Sequence, residues 1–370
     1  MTINIRFWHT ICCWVGVCLL GMLFACSGSE ELEDIGKPEQ ITYKIYGDWS
    51  NVQSETRGTL ISAESGLGNG PLWITSKIHG TTTEYFSGES LSKSGSTWGT
   101  TGRYFWPATA SGQSLDFLVL YPKDDNNWTN FSQLKYTVPQ ANASQVDLMY
   151  ATAYNQTLNT NTTNNGQVEL NMKHALTAFS FSAMSETGLT VTVKSVTLCN
   201  VMTSGTFSFP SASTVADGIG DNRWSELTAK GNLTLGMSEK TLNTTAYQRL
   251  DSDDGVLMML PQSLTGWTKN EVATAESQTG SYLVINCSIL SNGRPVTGDG
   301  ENPTGDVYVP ISGSFDAGKH YNFQMLFGLG YKSDGTPYGF VVELNASLIP
   351  WSEVTITPSD PLYEEESATP

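Results

Sequence analysis

Basic residues are scarce in this chain. Its 370 residues carry 19 Lys and Arg against 36 Asp and Glu, a net charge of −17 with a pI near 4.5. A nucleic-acid partner needs a surface that neutralises phosphates, and this composition does not supply one. Charge of either sign is sparse too, at 15% against roughly 25% in an average soluble protein, which argues against long helices with charged solvent faces. Disorder is excluded from the other side, because 39% of the residues are hydrophobic and 11% aromatic, enough to fill cores. Past the first 25 residues no apolar run reaches the roughly 18 residues of a membrane-spanning helix. Histidine and cysteine are few: four His, and six Cys of which four fall within the first 26 residues. His79, His174 and His320 stand far apart and without a partner at ligand spacing, so no local metal motif exists and no cofactor is expected.

Signals for catalysis are equally thin. No Gly-x-Ser-x-Gly elbow occurs, and Ser90-Leu-Ser-Lys93, a match to Ser-x-x-Lys, lies in what reads as a Gly/Ser loop without companion motifs. Asp251-Ser-Asp253-Asp254-Gly255 resembles the start of a calcium loop, but Val256 stands where the loop needs Gly, and no Glu closes it. A turn is the better reading, with opportunistic Ca²⁺ there or at Asp299 and Asp306 as the alternative. An enzyme is not expected.

What the chain does have begins with an export signal. Arg6 is the single charge in the first 25 residues, and the apolar stretch Ile11–Ala25 ends directly before Cys26. That is a signal-peptide core, too short and wrongly flanked to span a membrane. Leu23-Phe24-Ala25-Cys26 resembles a bacterial lipobox, which would make residues 1–25 a lipoprotein signal peptide and Cys26 the acylated residue; ordinary secretory cleavage or an uncleaved anchor is the alternative. The following Ser-Gly-Ser-Glu30-Glu31-Leu-Glu33-Asp34 forms a flexible acidic tether over 26–40, similar to signals that send lipoproteins to the outer face of the outer membrane. Of the remaining cysteines, Cys199 and Cys287 lie in apolar alternating runs that permit a disulfide without requiring one.

Beyond the tether, apolar residues recur with period two. Ile41-Thr-Tyr43-Lys-Ile45-Tyr, 72–78, 115–121, 168–172, 191–198, 282–285, 307–309, 321–327 and 340–344 read as strands with one buried face, separated by Gly, Asn, Asp, Ser and Pro clusters. Helical periodicity is nowhere sustained. The pattern implies an all-β chain of two tandem β-sandwiches, 41–188 and 189–357, dividing at the Ser185-Glu-Thr-Gly188 turn, with an acidic tail over 358–370. Tryptophans at 49, 73, 98, 106, 128, 224, 267 and 351 are core residues or strand ends; as a sugar-stacking platform they would support a lipid-anchored glycan-binding protein.

Several segments together resemble the fimbrillin family of pilus subunits in Gram-negative bacteria. They are the lipobox, Thr56-Arg57-Gly58-Thr59 after the first strand, Leu115-Asp-Phe-Leu-Val-Leu-Tyr-Pro122, Val146-Asp-Leu-Met-Tyr150-Ala, and 168–181 around His174. Leu260-Pro-Gln262, Phe315-Asp-Ala-Gly318-Lys-His-Tyr321 and Ile349-Pro-Trp351 complete the series. The resemblance implies two transthyretin-like Greek-key β-sandwich domains. It implies export as a palmitoylated lipoprotein to the outer membrane surface and the fimbrium, with other fimbrial subunits as partners and adhesion as the role. It further implies that an arginine-specific protease cuts between Arg57 and Gly58, displacing the strand of Ile41, Tyr43 and Ile45 so that a donor strand from another subunit enters its groove. Arg57 as a plain surface-loop residue is the alternative. The tail departs from the pattern. After Trp351 only Val354-Thr-Ile356 alternates, and Pro358 and Pro361 interrupt pairing, so a tip or accessory subunit fits as well as a stalk subunit.

Overall fold

The computed structural model describes residues 38–47, 61, 63–123, 131–164, 166–211, 223–251, 255–266, 280–298, 301–331 and 337–349. Cys26, Arg57 and Gly58 lie outside them, as do Asp253, Asp254, Asp299 and residues 350–370. Among the described residues every regular element is a strand or a short 3₁₀ turn, so the chain is all-β as the period-two pattern requires.

Eight strands arise in the first half: β1 (Thr42–Gly47), β2 (Leu72–Ile78), β3 (Glu84–Ser94), β4 (Thr97–Thr100), β5 (Leu115–Tyr121), β6 (Gln133–Thr137), β7 (Met149–Gln156) and β8 (Gln167–His174). Seven of them form a ring in the order β1-β4-β3-β2-β5-β7-β8, closed by β1 against β8. Inside it Ile41, Tyr43, Ile45, Leu72, Ile74, Leu91, Trp98, Phe117, Val168 and Leu170 make one buried core. Alternation explains this packing directly, since residues two apart share a face of the pleat.

A second core takes Trp73, Leu118, Leu120, Leu134 and Tyr150 from the first half of the chain and continues from Ala175 and Leu176 onward. Here β9 (Thr177–Ser185) runs parallel to His320–Tyr331, which pairs antiparallel with Pro337–Ile349. The expected division at residue 188 thus falls after β9, at the turn where Gly188 takes φ of 92°. The second sheet is organised by β10 (Leu189–Ser208), which pairs with β11 (Trp224–Leu235) on one side. Its other side carries Tyr282–Ser291 along its first half and β6 along its last five residues. Asn200, with φ of 60°, sits between those two stretches, where a left-handed residue turns the strand from one partner to the next.

Two expectations change. Ser90–Lys93 is not a loop: it lies within β3, where Leu91 pairs with Leu72 and Lys93 with Trp98. The Gly- and Ser-rich sequence disguised a strand because its inward positions, Phe86 and Leu91, are few and interrupted by Gly88 at φ 70°. The expectation of one buried face also fails for β5. Leu115, Phe117 and Val119 face the first core while Leu118 and Leu120 face the second, so the strand is buried on both sides.

Candidate functional site

Of the sequence-predicted site residues, Ile41, Tyr43 and Ile45 are described, and all three point into the first core at 1%, 0% and 4% exposure. Thr42, Lys44 and Tyr46 alternate outward. Burying three such side chains contributes roughly 1.5–3 kcal/mol each, which makes apolar burial the main force holding β1.

Its edges are held unequally. Toward β8 the pairing is parallel and continuous, from Thr42 opposite Gln167 to Gly47 opposite Met172. Toward β4 there is one ladder position, Tyr43 opposite Trp98, supplemented where the Ile41 N–H donates to the Tyr104 carbonyl at 2.9 Å. Outside, the Lys44 ammonium meets the Glu169 carboxylate at 3.0 Å with both side chains well exposed, an ion pair worth at most about 1 kcal/mol.

At the floor of the groove Phe117 takes the Tyr43 ring edge-on at 5.8 Å and the Trp106 ring at 6.2 Å. The Tyr43 hydroxyl is buried and has no hydrogen-bond partner among the described residues. Burial pushes its phenol far above the ordinary range, and Tyr104, Glu89 and Tyr85 add to the shift. Those neighbours are committed elsewhere. Tyr104 donates to Glu89 at 2.7 Å and Tyr85 to the Phe105 carbonyl at 2.5 Å. Accepting that bond, the Glu89 carboxylate pushes the Tyr104 phenol up to about 12, with burial adding to it. An unpaired buried hydroxyl costs about 1–3 kcal/mol, so the central anchor of β1 is less than fully accommodated.

On the far side of Arg57 the chain is anchored again at Ile61, which is buried. Its N–H donates to Asp147 Oδ2 at 2.8 Å, while Asp147 Oδ1 meets His174 Nδ1 at 3.0 Å. Arg57 and Gly58 therefore fall, in sequence, between two anchored points: β1 before them and Ile61 after. Sequence reasoning missed Glu169, Trp98 and Asp147 as parts of this arrangement. Lys44 and Glu169 at matching places in two alternating strands are the one signal that could have paired β1 with β8.

The other candidates have structural roles. His79 Nδ1 lies 2.7 Å from the buried Asp116, which also accepts the Asn155 N–H. His320 Nε2 bonds Ser180 Oγ at 2.5 Å in the second core. The three histidines thus occupy three separate places, and no cluster with metal-ligating capacity exists among the described residues. Asp251 is buried and chelated by Arg249 at 2.9 and 2.6 Å, so its carboxylate is not available to calcium; Asp306 accepts from Asn286. Trp73, Trp98, Trp106 and Trp224 are all buried, which removes them from any sugar-stacking surface. Cys199 and Cys287 are free thiols. Cys287 stands opposite Val193 on β10, six residues from Cys199 and so roughly 20 Å along the strand, far beyond disulfide reach.

A family model described as fimbrillin-like matches residues 71–337, which spans all of the strands from β2 through Tyr331. The chain belongs to the fimbrillin-like family. That family is one of structural fimbrial subunits. A crystallised fimbrial protein from Bacteroides vulgatus is similar to this fimbrillin-like chain at 15% identity and TM-score 0.56, covering 84% of it and 99% of the other protein. The tip fimbrial protein Mfa3 from Porphyromonas gingivalis, solved with a C-terminal truncation, is similar at 10% identity and TM-score 0.40, covering 85% and 100%. At these identities the Bacteroides likeness shows the fold. No curated protein sequence matches the chain.

Proposed function

We propose that this chain is a structural, tip or accessory subunit of an adhesive fimbria on the bacterial outer surface, assembled by protease-triggered strand exchange. It is built as two transthyretin-like Greek-key sandwiches, 41–188 and 189–357. Export proceeds as a lipoprotein: residues 1–25 are removed, Cys26 is palmitoylated, and the 26–40 tether carries the protein on the outer membrane. An arginine-specific protease then cuts after Arg57, freeing Cys26–Arg57 from the lipid-distal body. With that segment goes β1, and a strand from another fimbrial subunit enters between β4 and β8 by β-augmentation. Such a head-to-tail contact does not close on itself, so it extends a filament.

The observation that carries this reading is the position of β1. It supplies three core side chains and closes the ring, yet in sequence it is separated from the next anchored residue, Ile61, by the stretch that contains Arg57. Loss of β1 leaves an apolar groove lined by Trp98, Phe117, Val168 and Leu170, which a second strand of like pattern can fill, while the body remains pinned by the Ile61–Asp147 bond. Arg57→Ala tests it. The variant is expected to stay full-length, lipidated and monomeric on the cell surface, whereas the wild type loses 26–57 and enters filaments. Equal incorporation of the variant would overturn the cleavage-gated mechanism.

A further inference from the structure

We infer that the groove closed by β1 selects its incoming strand by a specific pattern. Aliphatic residues occupy the Ile41 and Ile45 places, Phe is preferred over Tyr at the Tyr43 place, and a basic residue stands at the Lys44 place. The strand runs parallel to β8. This rests on reading β1 as the strand that is exchanged, and it adds what the groove recognises.

The central place decides most. It is large enough for an aromatic ring, which Phe117 meets edge-on at 5.8 Å. The surroundings as built do not serve a hydroxyl: that of Tyr43 is buried with no hydrogen-bond partner among the described residues, while Tyr85 and Tyr104 direct their own O–H groups to the Phe105 carbonyl and Glu89. A ring of the same shape without the hydroxyl keeps the packing and loses the desolvation cost, so the subunit's own strand is the weaker occupant. Glu169 supplies the second criterion. It lies directly opposite Lys44 in the parallel register and pairs with it at 3.0 Å. Departure of β1 leaves that carboxylate on the rim, and like charges directly opposite one another on neighbouring strands are destabilising. A basic residue is therefore favoured there and an acidic one rejected, weakly and in a salt-dependent way because the site is exposed.

The same criteria disfavour this chain's own tail. Residues 352–358 read Ser-Glu-Val-Thr-Ile-Thr-Pro. Setting Val354 and Ile356 inward puts Ser352 or Pro358 at the third inward place, offers no aromatic ring, and leaves Thr355 rather than a basic residue outward. Proline also lacks the N–H that a strand flanked on both edges must donate. The fitting occupant is an extended segment of a different chain with the pattern aliphatic, any, Phe, basic, aliphatic.

Full-length protein cut with an arginine-specific protease provides the test, with fluorescent peptides of residues 40–47 competing for the groove. The Tyr43→Phe peptide is expected to bind about tenfold more tightly than the native one. The Lys44→Glu peptide should bind about threefold more weakly, with the difference shrinking at high salt and vanishing in Glu169→Gln protein. A peptide of residues 352–358 should bind more weakly than the native peptide. If the Phe peptide gains nothing, or if charge reversal at Lys44 has no effect, the proposed selection is overturned although exchange stands. If no peptide of any sequence replaces β1 in cut protein, the exchange reading itself fails, and the two failures are told apart.

Discussion

Two buried hydroxyls, Ser180 in the second core and Tyr43 in the first, are met in opposite ways, although each core also holds the reverse case: Asp147 is satisfied beside the first, and Ser185 Oγ on β9 has no partner among the described residues. In the second, Ser180 Oγ is met by His320 at 2.5 Å and Arg249 at 3.3 Å, and Arg249 in turn holds the buried Asp251 through two bonds. The network spans β9, Gln248–Arg249 and His320–Tyr331, and it fastens them together. In the first core the Tyr43 hydroxyl, on a strand of six residues, has no partner among the described residues. A satisfied network fixes a unique arrangement, and an orphaned group weakens one. Ser180 thus belongs to a network that ties three strands of the second core together, whereas β1, the strand that leaves under the proposed exchange, is held in the first core by packing around a hydroxyl without such a network.

The largest effect that would sharpen this contrast comes from the groove floor. Phe117 is fully buried in β5, between β2 and β7, and Phe117→Ala should cost about 3–5 kcal/mol. Urea unfolding followed by circular dichroism would check it, and a loss below about 1 kcal/mol would mean that the floor is not a packed surface.

Acid should separate the cores next. Burial, with Arg249 nearby, holds the His320 ring down at about 3, whereas in the unfolded chain it titrates near 6.5. Between those values the unfolded chain binds a proton that the folded chain does not. The contribution of this group is therefore complete above about pH 6.5 and is lost as pH falls toward 3, by up to about 1.4 kcal/mol per pH unit. His320→Gln should flatten that dependence even if it lowers stability at pH 7, and melts at pH 7, 5 and 4 would show it. An unchanged slope would remove His320 from the account. The smallest effect is a gain: Tyr43→Phe should stabilise the intact protein by about 1 kcal/mol, visible as a raised Tm, and a loss instead would mean that the hydroxyl has a partner after all.

Most of the strands could be read from the chain because a half-buried strand writes its face into alternate residues, as Ile41, Tyr43 and Ile45 or Val168, Leu170 and Met172 do. Where the environment is not half-buried the writing fails. Within β9, Phe179 and Phe181 face apolar neighbours while Ser180 and Ser182 are buried on the other side by hydrogen bonds, so its serines look like solvent positions. In β10 the apolar alternation is plain, but nothing local says that its last five residues pair with β6. The candidate site divides the same way. Its three inward residues follow from pattern alone. The parallel register with β8, the Glu169 partner and the setting of the Tyr43 hydroxyl arise from residues more than 40 positions apart along the chain, which no window of sequence contains.

The most direct test of a replaceable β1 is to prevent its replacement without touching Arg57. Lys44 and Glu169 are register partners on neighbouring strands, a geometry within disulfide reach, and the native thiols of Cys199 and Cys287 are buried. A Lys44→Cys, Glu169→Cys double variant, oxidised and then cut by the protease, should keep β1 bound and stay out of filaments, and reduction should restore assembly to the level of a matched single variant. Filament entry by the oxidised, cut protein at the wild-type rate would contradict the account.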